Sequence, residues 1–234
     1  MTFVYLILAH KNPSQLARLV KHLIDGNDSV IIHVDAKTDE APFIEALAGY
    51  ENVFFCSRRI SVNWGGFSIV EATVSLMETM IKNVGLSDYV HLLSGQDFPL
   101  KSHQQIKRFF CDNYHRNFIS FEQLPRPDWK FGGMNRIEFD WFIDQFGFDQ
   151  AKQLTKHQKP KHFIPDTIPY GGSEWWSLTL SIPEAYINET LNVFDVVPYF
   201  FEPENFDVND SNPGLCLGCA GYGMKILLEK NHWT

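Results

Sequence analysis

Short apolar runs alternate with amphipathic stretches through the first hundred residues of the chain. Apolar runs of about four to eight residues, separated by stretches with helical periodicity, are typical of βαβ units, in which helices join parallel strands. The sequence therefore predicts an α/β fold with a mostly parallel central sheet flanked by helices.

The predicted elements follow one another regularly up to Gln104 and more loosely after it. Beyond that residue we expect a long irregular section, rich in Trp, Pro and basic residues, between two further strands. The predicted strands are Phe3–Ala9, Val30–Val34, Val53–Cys56, Tyr89–Leu93, Phe118–Glu122 and Trp175–Leu180. The predicted helices are Pro13–Ile24, Pro42–Ala48, Ser68–Ile81, Gln105–Cys111 and Pro183–Leu191.

Composition and charge exclude some classes of protein. The chain has 20 basic against 28 acidic residues, a formal charge of -8, which disfavours nucleic acid as a partner. The apolar N-terminal stretch has no basic residues before it and reads as a strand rather than a targeting segment. No apolar run approaches the ~18 residues of a membrane span. We expect a cytoplasmic protein whose association with membranes is at most peripheral.

Ligands in open α/β sheets bind outside the carboxyl ends of the strands. Three predicted loops at that edge are rich in polar residues and glycine. They are His33–Lys37, Val62–Gly66 and Ser94–Pro99.

Several ways of binding phosphates are missing from the sequence. There is no Gly-x-Gly-x-x-Gly after the first strand and no Walker-type lysine, so dinucleotide oxidoreductases and P-loop enzymes are disfavoured. There is also no Asp-x-Asp, the carboxylate pair through which a divalent cation often bridges a nucleotide diphosphate; Asp97 stands alone after the fourth strand. We therefore expect neither a metal nor another cofactor, and basic side chains must offset the charge of a leaving diphosphate.

Four blocks of sequence together resemble the core-2/I-branching N-acetylglucosaminyltransferases and the peptide O-xylosyltransferases. They occur in the order of that family and lie within residues 1 to about 204. They are Ile32–Lys37, Trp64–Gly66, Leu92–Lys101 and Gly171–Trp176.

The resemblance implies a GT-A type of nucleotide-sugar-binding fold, a UDP-sugar donor, inversion at the anomeric carbon and no metal requirement. GlcNAc is favoured over xylose as the sugar, and the acceptor is an oligosaccharide or glycoconjugate. We treat the chain as one domain, with a donor half at 1–101 and an acceptor half at 102–234. The predicted donor-binding residues in the first half are Asp35, Lys37, Trp64, Gly65, Ser94, Gly95, Gln96 and Asp97.

An inverting transfer needs a carboxylate that takes the proton of the acceptor hydroxyl. In the family this is a glutamate in a Pro-x-Glu block, whose best match here is Pro203-Glu204, so Glu204 is the predicted base and Glu174 the alternative. The family's basic C-terminal segment, which grips the diphosphate, is matched by Lys225 or Lys230. The predicted acceptor-binding residues are Glu122, Trp129, Lys130, Arg136 and Trp175.

Structural interpretations compete with these roles. Asp35 and the Trp64 block also suit turns, Asp97 also suits a helix N-cap, and His33 suits a satisfied core histidine. Trp129, Lys130 and Arg136 equally suit a solvated face, whereas Trp175 and Trp176 alternate along a strand, so that at least one should be core.

Two other classes of function stay open. The first is a nucleotide-sugar-binding protein that has lost catalysis. The second, a metal-dependent hydrolase, is disfavoured because the nine histidines have no ligand spacing and Cys216 and Cys219 lack a second ligand pair.

Overall fold

The computed structural model describes residues 1–85, 87–161 and 169–179. The strands are β1 (Phe3–Ala9), β2 (Ser29–Val34), β3 (Val53–Phe55), β4 (Tyr89–Ser94), β5 (Phe118–Gln123) and β6 (Tyr170–Thr179). The helices are α1 (Pro13–Leu23), α2 (Ala41–Ala46), α3 (Ser68–Asn83), α4 (His103–Asp112), α5 (Asn135–Glu138), α6 (Ile143–Phe146) and α7 (Phe148–Thr155), with a 3-10 turn at Lys130–Gly133.

The six strands form one sheet in the order β3-β2-β1-β4-β6-β5. β1 pairs in parallel with β2 and with β4, β2 pairs in parallel with β3, and β6 runs antiparallel to β4. The predicted α/β class with a mostly parallel sheet is confirmed. In the parallel part, Ala9 lies opposite Val34 and Leu8 lies opposite Ser94, so the carboxyl ends of these strands meet at one edge.

Helix α1 shows how the apolar pattern builds the core. Its buried residues Leu16, Leu19, Val20 and Leu23 recur at helical spacing and pack in the same cluster as alternate residues of β1. Burial of each such side chain contributes about 1.5–3 kcal/mol. The apolar residues whose spacing predicted the helix thus form the face that packs against the sheet.

His33 is a buried histidine with a hydrogen-bond partner, which is the structural role weighed for it from the sequence. The ring is 1% exposed, and its Nε2 accepts a hydrogen bond of 2.8 Å from the backbone N–H of Ile60. Burial lowers its pKa to about 4, so the ring is neutral at pH 7. His33 is therefore part of the scaffold of β2.

Strand β6 begins five residues before the predicted start at Trp175. Gly171 and Gly172 lie inside this strand rather than in a turn. Both positions need glycine because neighbouring atoms leave no room for a side chain. A Cβ on Gly172 would lie 2.8 Å from the backbone carbon of Ser120, and one on Gly171 would lie 2.8 Å from the ring of Trp129. Trp176 is buried and Trp175 is 37% exposed, which confirms that one of the two is core.

The chain divides into two compact units. Among the described residues, the first unit contains Met1–Ser61, Ala72–Ile119 and residues 175–179, and the second contains Val62–Glu71 and Ser120–Glu174. The predicted irregular section falls in the second unit, where the 3-10 turn and the short helices α5 to α7 interrupt it. The predicted helix Pro183–Leu191 lies outside the described residues.

Across the described ranges, none of the helices combines the length and apolar character needed to cross a membrane.

Candidate functional site

The first unit brings two of the predicted donor loops to either side of the end of β1. The backbone N–H of Asp35 donates to the carbonyl of Ala9, and the N–H of Gly95 donates to the carbonyl of Leu8, both at 2.8 Å. Loops that follow different parallel strands thus become neighbours, as expected at the carboxyl edge of such a sheet.

Asp35 closes the turn after β2 and keeps its carboxylate beside a lysine. Its Oδ1 accepts the backbone N–H of Lys37 at 2.9 Å, and its Oδ2 lies 3.7 Å from the Nζ of Lys37. The residue is only 7% exposed. One carboxylate oxygen therefore serves the turn, and the predicted contact with a nucleoside would use the other.

The loop after β4 is tied to the start of α1. Gln96 accepts a hydrogen bond of 3.0 Å from Asn12 and donates one of 3.3 Å to the carbonyl of Lys11. A Cβ on Gly95 would lie 3.2 Å from the Cβ of Ala9, so a larger residue would push the loops apart. The predicted donor residues Ser94 to Asp97 are thus fixed beside the loop that follows β1.

The interpretation of Asp97 as a helix N-cap is wrong. Helix α4 begins at His103, and its N-cap is Ser102, which accepts the N–H of Gln105. Asp97 instead accepts the backbone N–H of Ser94 at 2.8 Å through Oδ2, so its carboxylate closes its own loop.

Sequence reasoning missed Arg59, whose guanidinium lies against the Asp35 turn. It donates hydrogen bonds to the carbonyls of Val34, at 3.0 Å, and of Asp35, at 2.8 Å, and to that of Thr38. The side chain of the neighbouring Arg58 is half-exposed and pairs instead with Glu78, at 3.2 Å. Nothing in the dipeptide tells the two apart.

In the second unit, a carboxylate from a distant part of the chain holds the Trp64 turn. The Oδ2 of Asp144 accepts the N–H of Ser68 at 2.9 Å, and its Oδ1 lies 2.5 Å from the Oγ of Ser68 and 3.2 Å from the Nδ2 of Asn63. A Cβ on Gly66 would lie 2.7 Å from the Cγ of Asp144. Asp144 thereby accepts a hydrogen bond from an N–H group at the start of α3 that has no partner within the helix. Its carboxylate also fills the space that a side chain at position 66 would need, which accounts for glycine there.

The same turn presents an aromatic ring to solvent. Gly65 has a φ of 78°, a conformation that glycine adopts without strain. Trp64 is 76% exposed, with the ring of Phe148 edge-on to it at 5.1 Å. The segment is thus the strand-to-helix turn of the structural interpretation, and its exposed indole keeps the predicted donor-binding role open.

We expect Asp144→Ala to lower the free energy of unfolding by about 1–2 kcal/mol, because the start of α3 loses its acceptor. Urea denaturation measures this change. Asp149→Ala is the matched control, since Asp149 is an exposed carboxylate nearby in sequence. Equal losses of stability in the two variants would contradict the role given to Asp144.

The ring of the predicted acceptor residue Trp129 is in contact with other residues of the second unit. The guanidinium of Arg136 lies 3.9 Å and that of Arg126 4.7 Å from the ring centroid. A Cβ on Gly133 would lie 2.5 Å from the ring. These contacts favour a structural role for Trp129 and Arg136, whereas Lys130 and Glu122 are exposed to solvent.

Glu174 is the candidate base that the structure describes. Burial raises the pKa of its carboxyl above the ordinary value, and no described residue donates a hydrogen bond to it. A half-buried carboxylate with a raised pKa is a stronger proton acceptor than an exposed one, which suits general-base chemistry. Its neighbour Trp175 is exposed enough to meet a ligand.

Other predictions fall outside the described residues. The predicted base Glu204, the predicted diphosphate ligands Lys225 and Lys230, and the pair Cys216 and Cys219 all lie there. Within residues 1–85, 87–161 and 169–179, no group of three or more His, Cys, Asp or Glu side chains could hold a metal ion.

Comparisons with known proteins agree with the resemblance seen in the sequence. The chain is 27% identical to xylosyltransferase 2 of Homo sapiens over 188 residues, which is 78% of this chain and 21% of that protein. It is 29% identical to a probable beta-1,3-galactosyl-O-glycosyl-glycoprotein beta-1,6-N-acetylglucosaminyltransferase 7 of Sus scrofa over 119 residues, half of this chain and 28% of that protein. The chain thus spans about a fifth of the length of the xylosyltransferase it matches.

A solved structure, the 4-diphosphocytidyl-2C-methyl-D-erythritol synthase of Anaerococcus prevotii, covers 88% of this chain and matches over 84% of its own length. The identity is 13% and the TM-score is 0.38, too low to support a structural argument. The family comparison is decisive, because the Core-2/I-Branching enzyme model matches residues 3–200. The chain belongs to the Core-2/I-Branching enzyme family, as its four sequence blocks predict.

Proposed function

We propose that this protein is an inverting glycosyltransferase that moves a sugar from a UDP-sugar to a hydroxyl of an oligosaccharide or glycoconjugate. Membership of the Core-2/I-Branching enzyme family is the observation that carries the proposal. The proposed fold is of the GT-A type, and the proposed sugar is GlcNAc in preference to xylose. We further propose a cytoplasmic location with at most peripheral membrane association, and no nucleic-acid partner.

The donor site of this proposal is the pair of loops beside the end of β1. Asp35 would contact the nucleoside, and the loop from Ser94 to Asp97 would approach the sugar diphosphate. Both loops are fixed by backbone hydrogen bonds to β1, which supports a site formed before the donor binds. Lys225 and Lys230 remain the proposed ligands of the diphosphate.

We propose Glu174 as the general base. The carboxylate would accept the proton of the acceptor hydroxyl while that oxygen attacks the anomeric carbon and UDP leaves. Its raised pKa, caused by burial, supports this role because proton transfer needs a basic acceptor. Glu204, the base predicted by resemblance, is the alternative.

We also propose that transfer needs no divalent cation. The lone Asp97 has Oδ2 committed to the backbone of Ser94, which supports the idea that it is not half of a metal-binding pair. The leaving UDP would then be stabilised by lysine side chains.

The experiment that tests this proposal is titration of the chain with UDP, with and without a chelator. We expect the same affinity in both conditions, and an increase in melting temperature as UDP is added. A strict requirement for Mn²⁺ or Mg²⁺ would contradict metal independence. Binding of UDP without transfer to any acceptor would favour the nucleotide-sugar-binding protein instead.

A further inference from the structure

Arg59 commits most of its donors to backbone carbonyls of a single turn. Nε donates to Val34, and Nη2 donates to Asp35 and Thr38. Nη1 lies 3.7 Å from the carboxylate of Glu40. The guanidinium thus spans the end of β2 and the residues that follow it.

The turn also bonds to the backbone beside Arg59. The N–H of Ala36 donates to the carbonyl of Ile60 at 2.9 Å, and the N–H of Thr38 donates to the carbonyl of Asp35 at 2.8 Å. Since His33 accepts the N–H of Ile60, the segment that carries Arg59 is bonded both to β2 and to the turn that follows it. The position of Asp35 therefore depends on a residue 24 positions away.

We propose that Arg59 is a positioning residue, which sets the orientation of the Asp35 carboxylate for the donor nucleoside. This inference rests on the proposed function, because it takes Asp35 as a donor contact. Arg59 is not proposed to bind the diphosphate, since Nε and Nη2 donate to carbonyls and Nη1 lies beside the carboxylate of Glu40. Lysine cannot replace it, because one ammonium cannot reproduce the planar fork that reaches three carbonyls.

The test compares Arg59→Lys with Arg58→Lys, which makes the same change at a side chain that is half-exposed and paired only at the surface. Two quantities are measured at a temperature where all variants are folded: hydrogen exchange of the amides of residues 36–38, and affinity for UDP. We expect Arg59→Lys to speed exchange at Lys37 and Thr38 and to weaken UDP binding about tenfold, the effect of losing one charge-assisted hydrogen bond. The donor KM should rise by a similar factor with kcat unchanged, and Arg58→Lys should change none of these values.

Two failures are distinguishable. If the parent chain has no affinity for UDP, the proposed donor is wrong, and the positioning of Asp35 for a nucleoside is overturned with it. If the parent binds UDP while Arg59→Lys leaves both affinity and exchange at the parent values, only the role of Arg59 is overturned. An equal loss of affinity in both variants would also overturn it, because replacing a guanidinium outside the Asp35 turn would then have the same effect as replacing Arg59.

Discussion

Replacement of Glu174 by glutamine is expected to lower sugar transfer about 100- to 10,000-fold, the usual contribution of general-base catalysis. The amide has nearly the shape of the carboxylate but cannot accept the proton, so affinity for UDP should stay at the parent value. Transfer should also fall as the pH is lowered through the pKa of Glu174, because only the ionised form is a base. Since burial raises that pKa, the fall should occur at a higher pH than for an ordinary glutamate.

Initial rates with a radiolabelled UDP-sugar, together with calorimetry for UDP, measure both effects. Glu138→Gln serves as the control, since it makes the same change elsewhere in the second unit. Glu204→Gln is made in parallel. If that variant is inactive while Glu174→Gln transfers sugar at the parent rate, the resemblance-based prediction of Glu204 is right and our proposal for Glu174 is wrong.

Gly172→Ala is expected to destabilise the protein by about 3 kcal/mol, the upper end of the usual cost of adding a group to a packed site, because the atoms it meets are backbone. The added Cβ would lie 2.8 Å from the carbonyl carbon of Ser120 and 3.0 Å from the Cα of Phe121. Both are backbone atoms of β5, so relief requires the two strands to separate. Urea denaturation followed by circular dichroism measures the loss.

Gly49→Ala is the matched control for this prediction. Gly49 has a φ of 97°, and no atom lies within 4 Å of its added Cβ, so the variant carries only conformational strain. Its cost should be about 1 kcal/mol. A loss at Gly172 no larger than that at Gly49 would show that β5 and β6 tolerate the methyl group, contrary to our interpretation of the strand glycines.

The periodic part of the fold could be predicted from the sequence because local pattern and burial agree there. Phe3–Ala9 is a strand with the predicted bounds, and α1 begins at the predicted Pro13. The start of β6 was not predicted, since the sequence does not show what Gly171 and Gly172 pack against. The same residue type marks a true turn at Gly65, where φ is positive.

The candidate site was predictable only in part. Asp35 and Asp97 follow parallel strands on either side of β1, so topology alone places them at the same edge of the sheet. Arg59 and Asp144 donate or accept hydrogen bonds at turns that are distant from them in sequence. Nothing in the residues around either one indicates this role. Such long-range hydrogen bonds depend on the folded backbone and leave no local pattern.

The hydrogen bond from Ile60 to His33 makes the anchoring of the Arg59 segment sensitive to acid. Nε2 can accept this bond only while the ring is neutral, which leaves the proton of the neutral ring on Nδ1. The unfolded chain takes up a proton near pH 6.5, whereas the folded ring resists protonation down to about pH 4. The contribution of this buried imidazole to the free energy of unfolding is therefore fully present above pH 6.5 and declines as the pH falls toward 4. Below that value the imidazolium would direct a proton at the amide of Ile60, and the segment would separate from β2.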